Sequence, residues 1–248
     1  MIPKIIHYCW LSNDPIPQKL QNYIQSWKKN LPDYELVLWN FDRFDKDSSL
    51  WVKQAFENKK YAFAADYIRL FALYNYGGIY LDLDVEVIKD FRPMLELKTF
   101  MCWQNESAGL EVAAMGAEKG CSWLKLCLDR YANRPFVTEQ GFDTKILPLI
   151  VEDVLRENKI SLKDVQNINS AKEFEHKGIP IFTCDFFSPK SLATGIISVT
   201  PNTYCIHHFS GSWCDKKSRL RGQIYYFLYS HFGANVAKIV RKCFGRRK

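Results

Sequence analysis

Between Tyr61 and Glu86 the chain reads YAFAADYIRLFALYNYGGIYLDLDVE, and this stretch limits the fold more than any other. Residues Tyr61 to Tyr76 are apolar on nearly every face apart from Asp66 and Arg69, so a helix formed there must be buried almost all round. The Gly77-Gly78 pair predicts its end, in a left-handed C-terminal cap. Ile79 to Leu83 then reads as an apolar strand, and Asp82 and Asp84 occupy alternate positions at its end. In extended backbone residues i and i+2 point to the same side. Both carboxylates are therefore expected together at the strand end, where α/β folds place ligands. Two such charges need a counter-cation, and oxygen ligands suit Mn²⁺ or Mg²⁺. An Asp-x-Asp pair in a solvated turn would look the same in isolation; the apolar strand and the glycine cap around it carry the reading.

The rest of the chain alternates strands and helices. Strands are predicted at Ile2 to Trp10, Tyr34 to Trp39, Val85 to Ile88 and Phe100 to Gln104, with short ones between Ile179 and His208. Helices are predicted at Gln18 to Lys29, Ser48 to Lys59, Ser122 to Tyr131 and Phe142 to Glu157. The order implies an α/β fold, one domain with a mixed, mainly parallel sheet flanked by helices.

Charge divides the chain. Of the formal +7, residues 215–248 carry +9 and the first 214 residues carry −2. The domain is accordingly set at 1–214, followed by a basic amphipathic tail at 215–248. Ile224, Phe227, Leu228, Phe232, Val236, Ile239 and Val240 recur at helical spacing between basic clusters, which fits either an anionic membrane interface or a terminal helix packed on the body. No nucleic-acid motif accompanies the charge. No apolar run reaches the roughly 20 residues of a membrane span. MIPKIIHYCW lacks the apolar core of a secretory signal, and the eight cysteines show no metal-site spacing. A cytoplasmic protein with reduced thiols is the expectation, peripheral on the inner face of the cell membrane if the tail binds there.

Two further constellations stand out. Asp66 and Arg69, three residues apart, share one helix face; they form either an ion pair at the core edge or a pair facing a cleft. His207-His208-Phe209-Ser210-Gly211-Ser212-Trp213 follows a short strand and offers imidazoles to a cation and an indole to a sugar or phosphate.

The pattern IPKIIHYCW, SWKKNLPDYE, KKYAFAADYIRLFALYNYGGIYLDLDVEV and IHHFSGSW resembles glycosyltransferase family 32. That family holds the DXD-motif sugar transferases of capsular polysaccharide synthesis and the fungal initiating mannosyltransferases. The resemblance covers most of Ile2 to Trp213. It implies a GT-A fold and retaining transfer of a hexose or N-acetylhexosamine from a nucleotide-sugar donor to a glycan acceptor, lipid-linked if the tail lies on a membrane. Asp84 then matches the direct metal ligand, and Asp82 a supporting carboxylate that contacts the donor. His208, with His207 as the neighbouring alternative, matches the C-terminal metal position. Asp66 and Arg69 match the pair that holds the donor sugar, Trp10 with Tyr8 the rings at the nucleotide base, and Trp213 the aromatic over the diphosphate. Where many relatives carry a Thr-Gly-Pro segment near the acceptor, this chain reads Thr138-Glu139-Gln140-Gly141-Phe142, so no acceptor specificity carries over.

Lys216 or Lys217 would add phosphate donors, while Glu86, Glu106, Glu139 and Asp143 are acids that spacing alone does not rank as nucleophiles. Retention then favours front-face attack. The alternatives are a haloacid dehalogenase-like sugar-phosphate phosphatase, whose Asp-x-Asp-x-[Thr/Val] strand end fits Asp82 to Val85 literally, and a non-catalytic carbohydrate or membrane adaptor.

Overall fold

The computed structural model describes residues 1–104, 109–192 and 194–210. The basic tail and Trp213 lie outside the described residues, as does the domain boundary at 214.

The elements run β1 (Ile5–Cys9), α1 (Gln18–Asn30), β2 (Glu35–Trp39), α2 (Leu50–Glu57), α3 (Tyr61–Tyr76), β3 (Gly78–Leu81), β4 (Val85–Val87), β5 (Thr99–Trp103), β6 (Leu110–Ala117), α4 (Ser122–Asp129), β7 (Val137–Thr138), β8 (Gly141–Phe142), α5 (Leu147–Glu157), β9 (Leu162–Val165), α6 (Ile168–Phe174), β10 (Ile179–Phe182) and β11 (Cys205–His207). Seven strands form one sheet in the order β2-β1-β3-β6-β5-β10-β9. Only β6 runs against its neighbours, antiparallel to β3 and β5. The mixed, mainly parallel sheet expected from the sequence is the one formed.

Each face of the sheet is covered, which is why the central strands need no alternation. One apolar cluster joins α2, α3, α4 and α5 through Trp51, Ile68, Leu73, Leu124 and Val151. The other lies under α1 and α6, around Trp27, Phe91, Phe100 and Phe187. All four residues of β3 and all eight of β6 are buried. Periodicity assigns nothing to Leu110–Ala117 because a doubly buried strand shows no period of two, and its alanines and glycine are weak strand formers.

The α3–β3 junction depends on its glycines. Gly77 ends the helix, its N–H bonded to Leu73 O at 2.9 Å. Its φ of +67° comes with ψ of −174°, so the cap is not the left-handed helical one expected, but the positive φ still selects glycine. Gly78 has φ +108°, and a Cβ there would sit 2.7 Å from Ile5 O. His7 locks the junction to the sheet: Trp39 Nε1 donates to its Nδ1 at 3.0 Å and its Nε2 meets Gly77 O at 2.8 Å.

Two predicted elements change. The helix expected from Phe142 begins at Leu147, with Pro148 in its first turn, because the preceding residues turn back as the β7–β8 hairpin and Arg134 holds Asp143 at 2.8 Å. Residues 82–84 are not extended: β3 stops at Leu81, and Val85 N bonds Asp82 O at 3.0 Å across a tight turn into β4. β4 then pairs with β11 as a separate two-stranded ribbon, tied to α1 by Trp27 Nε1 on Val85 O at 2.7 Å.

Candidate functional site

The site stands where β3 ends. Its two carboxylates converge through the turn at Leu83, rather than through strand alternation, and β11 brings a third ligand across from β4. Asp82, Asp84 and His207 each place one ligand atom within 4.8 Å of the others. Two carboxylates and an imidazole are a donor set that suits a hard or borderline divalent cation, so these residues fit the ion that the motif implies.

His207, not His208, joins the aspartates. Neighbouring residues at a strand end face opposite sides, and register pairs His207 with Val85. His207 Nε2 lies 3.5 Å from Asp84 Oδ1. The His208 ring turns the other way: its Nε2 is 2.8 Å from Glu86 Oε2, and it stacks on Tyr23 with centroids 4.7 Å apart. Only its main chain touches the site, through His208 N on Asp84 O at 2.9 Å.

Asp66 and Arg69 do share a face and form the intrahelical pair, at 3.1 Å. Arg69 goes further, bridging to Asp82 at 3.2 Å through Nη2 and bonding Val112 O at 3.0 Å through Nη1. Its guanidinium packs over the Tyr80 ring at 4.6 Å, and Tyr80 OH donates to Asp82 Oδ1 at 3.0 Å. Arg69 is 5% exposed, and its Nε has no partner among the described residues. The pair is thus neither a simple structural bridge nor an isolated sugar clamp; it is the cationic wall of the carboxylate cluster.

Electrostatics differ across the cluster. Burial pushes Asp66 up to about 7, against the pull of Arg69 and of the Leu147 N–H at the start of α5. Burial also raises Asp82, with Arg69 opposing and Asp84 adding to the rise. Burial works against ionisation of Asp84 too, but the His207 hydrogen bond and charge and the Ser210 N–H at 2.6 Å hold its carboxyl well below the usual range. Asp84 is the member whose charged form its surroundings favour most.

Glu111, on β6, was not among the residues expected from the sequence. Its Oε2 is 3.0 Å from His207 Nδ1. A buried acid in an otherwise apolar strand was the signal that could have found it. The other candidate acids lie elsewhere: Glu86 pairs with His208, Asp143 with Arg134, Glu139 tips the β7–β8 hairpin, and Glu106 is outside the described residues.

Trp10 and Tyr8 flank a different part of the same sheet end. Trp10 N bonds Trp39 O at 3.0 Å and its indole Nε1 donates to Asp14 O at 2.7 Å, so that N–H is already used. Tyr8 stands edge-on to Trp27, 5.4 Å between centroids. It pairs in register with Leu38, which with Asn40, Asp42 and Arg43 lines a hollow of about 500 Å³ at the end of β2.

Residues 17–101 match the model of the glycosyltransferase sugar-binding region containing DXD motif. Over that stretch, about a third of the chain, the sequence is similar to the DXD-motif glycosyltransferases. Inositol phosphoceramide mannosyltransferase 3 of Schizosaccharomyces pombe is 36% identical over 127 residues, 50% of this chain and 35% of that protein. A mannosyl phosphorylinositol ceramide synthase of Saccharomyces cerevisiae is 37% identical over 105 residues, 41% of this chain and 27% of that protein. The chain therefore matches about a third of the length of these curated relatives. Among solved structures, a galactosyltransferase in complex with donor and acceptor sugar analogues aligns with TM-score 0.45 at 10% identity, over 91% of this chain and 95% of that one. The PaToxG glycosyltransferase aligns with TM-score 0.47 at 20% identity, over 63% and 69%. The strand–turn–strand setting of Asp82 and Asp84 differs from the strand–loop–helix that a haloacid dehalogenase motif needs, and β4 follows directly.

Proposed function

We propose that this chain is a family 32 glycosyltransferase, metal-dependent and retaining, that moves a hexose from a nucleotide sugar to a lipid-borne acceptor. The observation that carries this is the convergence of Asp82, Asp84 and His207 within 4.8 Å beside the buried Asp66–Arg69 pair; both aspartates and that pair lie inside the region that matches the DXD model, and His207 joins them from outside it. Mannose is the sugar named in the curated relatives, and their acceptors are named as inositol phosphoceramides. A lipid acceptor agrees with a peripheral membrane location on the cytoplasmic side. Capsular polysaccharide is not among the acceptors named in those relatives.

Asp84, Asp82 and His207 would hold a Mn²⁺ or Mg²⁺ ion, which as a Lewis acid would neutralise charge on the departing diphosphate. Asp84, whose ionised form the His207 and Ser210 contacts favour, would supply negative charge to the cation. Arg69 holds the Asp82 carboxylate in place from one side and Tyr80 from the other, so both enter the reaction pre-oriented. Asp66, on α3 with the Leu147 N–H of α5 bonded to it, would offer an oxygen to a sugar hydroxyl. The nucleoside would lie at the ends of β1 and β2, its base against Trp10 and Tyr8 and its polar edge toward Asn40 and Asp42. Retention then follows from front-face attack with the diphosphate assisting.

A thermal-shift panel of UDP- and GDP-sugars with and without Mn²⁺, followed by detection of released nucleoside diphosphate, tests this. One donor class should stabilise the protein only with metal, by ~2.7 kcal/mol at a hundredfold excess over Kd, and Asp84→Ala should remove the effect. No stabilisation by any donor, or phosphate release from sugar phosphates instead, would count against it. The anomeric configuration of the product, read by NMR, decides between retention and inversion.

A further inference from the structure

Three consecutive residues of β6 each grip a different member of the cluster. Ala113 O accepts from Asp82 N at 2.8 Å, and Val112 O accepts from Arg69 Nη1 at 3.0 Å. Those two contacts use main chain and tolerate many side chains. Glu111 alone of the three acts through its side chain, and that side chain is buried, with the residue 4% exposed.

Three donors surround the Glu111 carboxylate. Ala113 N donates to Oε1 at 2.9 Å. Ser188 Oγ donates to Oε2 at 2.9 Å, and His207 Nδ1 lies 3.0 Å from the same oxygen. A carboxylate has acceptors only, so the proton between Glu111 and His207 belongs on Nδ1. That choice has a consequence at the other end of the ring, since a neutral imidazole with its proton on Nδ1 carries a lone pair on Nε2. Nε2 is the atom that faces Asp84.

We propose that Glu111 is the positioning residue of this site: it fixes the His207 ring and the tautomer that turns the Nε2 lone pair toward a cation held by Asp82 and Asp84. The inference rests on the metal-binding part of the reading above and not on the identity of the sugar. A ligating histidine whose other nitrogen is held by a carboxylate gains both orientation and basicity, and loss of such a partner typically lowers metal affinity about 10–100-fold. Ser188 and the Ala113 N–H support the carboxylate in turn, leaving neither of its oxygens without a donor.

Glutamine at this position separates positioning from simple packing. It keeps the shape of the side chain but has one acceptor oxygen where three donors converge. Its amide nitrogen must face either the Ala113 N–H or His207 Nδ1, and in the second case it donates to Nδ1 and drives the proton to Nε2.

The experiment is a Mn²⁺ titration followed by electron paramagnetic resonance on the full chain, for wild type, Glu111→Gln and Glu111→Ala. Unfolding temperatures are measured in EDTA, and ¹⁵N-histidine NMR spectra are recorded with Mg²⁺. Glu111→Gln should bind Mn²⁺ about 10–100-fold more weakly, show a changed His207 tautomer, and regain turnover as Mn²⁺ is raised. Should Glu111→Ala fail to fold, the glutamine variant carries the test. A variant that loses thermal stability while binding Mn²⁺ within twofold of wild type, with the Nδ1–H tautomer intact, overturns the proposal and leaves Glu111 a packing residue. Wild type that binds no Mn²⁺ overturns it together with the metal-dependent reading. Wild type that binds Mn²⁺ but no nucleotide sugar, with Glu111→Gln still weakened, supports the proposal while removing the donor assignment.

Discussion

His7 and His207 are both largely buried, and the protein uses them in opposite ways. His7 lies between one donor and one backbone acceptor, Trp39 Nε1 and Gly77 O, with no carboxylate bonded to it among the described residues. Burial lowers its pKa to about 4, against a weaker upward pull from the Gly77 carbonyl, and a neutral imidazole satisfies both neighbours at once. Burial acts on His207 in the same direction, but without a cation Glu111 and Asp84 on its two sides overcome it and raise its pKa well above 6.5; a cation at Nε2 would displace the proton there and leave the neutral Nδ1–H form. Partners, more than depth, decide what a buried histidine does. One is a rivet between β1, β2 and the α3–β3 junction; the other stands between two carboxylates in the charged cluster at the end of β3, where we propose that it is a metal ligand.

That contrast can be broken in several places. The largest effect belongs to the carboxylate cluster: Asp84→Asn should reduce kcat by about 10³-fold, or ~4 kcal/mol of transition-state stabilisation, while the protein still folds in EDTA with a smaller loss of stability from the weakened His207 and Ser210 contacts. Unchanged turnover would remove the cluster from the catalytic machinery. At the rivet, His7→Phe strands the Trp39 N–H and the Gly77 carbonyl, each buried polar group costing about 1–3 kcal/mol. A total loss of ~2–5 kcal/mol should appear in the urea midpoint, with Mn²⁺ affinity of the folded protein unaltered.

The pH response is somewhat smaller and has a defined sign. Because the folded pKa of His7 is about 4 and the unfolded one about 6.5, the unfolded chain binds the extra proton. The contribution of His7 is fully present above pH 6.5 and is lost as pH falls toward 4, by ~2–3 kcal/mol at pH 4.5. Subtracting the urea profile of His7→Asn from that of wild type should isolate this step between pH 7 and 4.5; parallel profiles would mean that His7 is not held neutral. The smallest effect sharpens the assignment of neighbours. His208→Phe, which keeps a ring against Tyr23, should change Mn²⁺ affinity and kcat less than threefold, whereas a metal ligand would cost far more. A hundredfold loss of Mn²⁺ affinity would return the role to His208.

Much of the site was legible because it is local. Asp66 and Arg69 are one helical turn apart, Asp82 and Asp84 two residues apart, and Gly77-Gly78 marks the junction that joins them, so propensity and spacing alone bring four of the charged groups near one another. The histidine was legible as a pair but not as a choice. Strand alternation says that only one of His207 and His208 can face the aspartates, and the pairing of β11 with β4 decides which. Glu111 was legible only as an acid in an apolar run, and its facing direction was not, since β6 is buried on both faces and shows no period from which that direction could be read.

The amino-acid sequence by itself therefore determines the layered α/β class, the buried α3, the glycine-dependent turn into β3 and the presence of an acidic pair at its end. These follow from hydrophobic burial and backbone sterics acting over a few residues. The tertiary structure alone decides that Asp82 and Asp84 converge through a turn, that His207 faces them and His208 does not, and that Glu111 stands behind the imidazole. Those outcomes depend on contacts across 96 residues for Glu111 and His207, where register and strand order, not local preference, set which side chains meet.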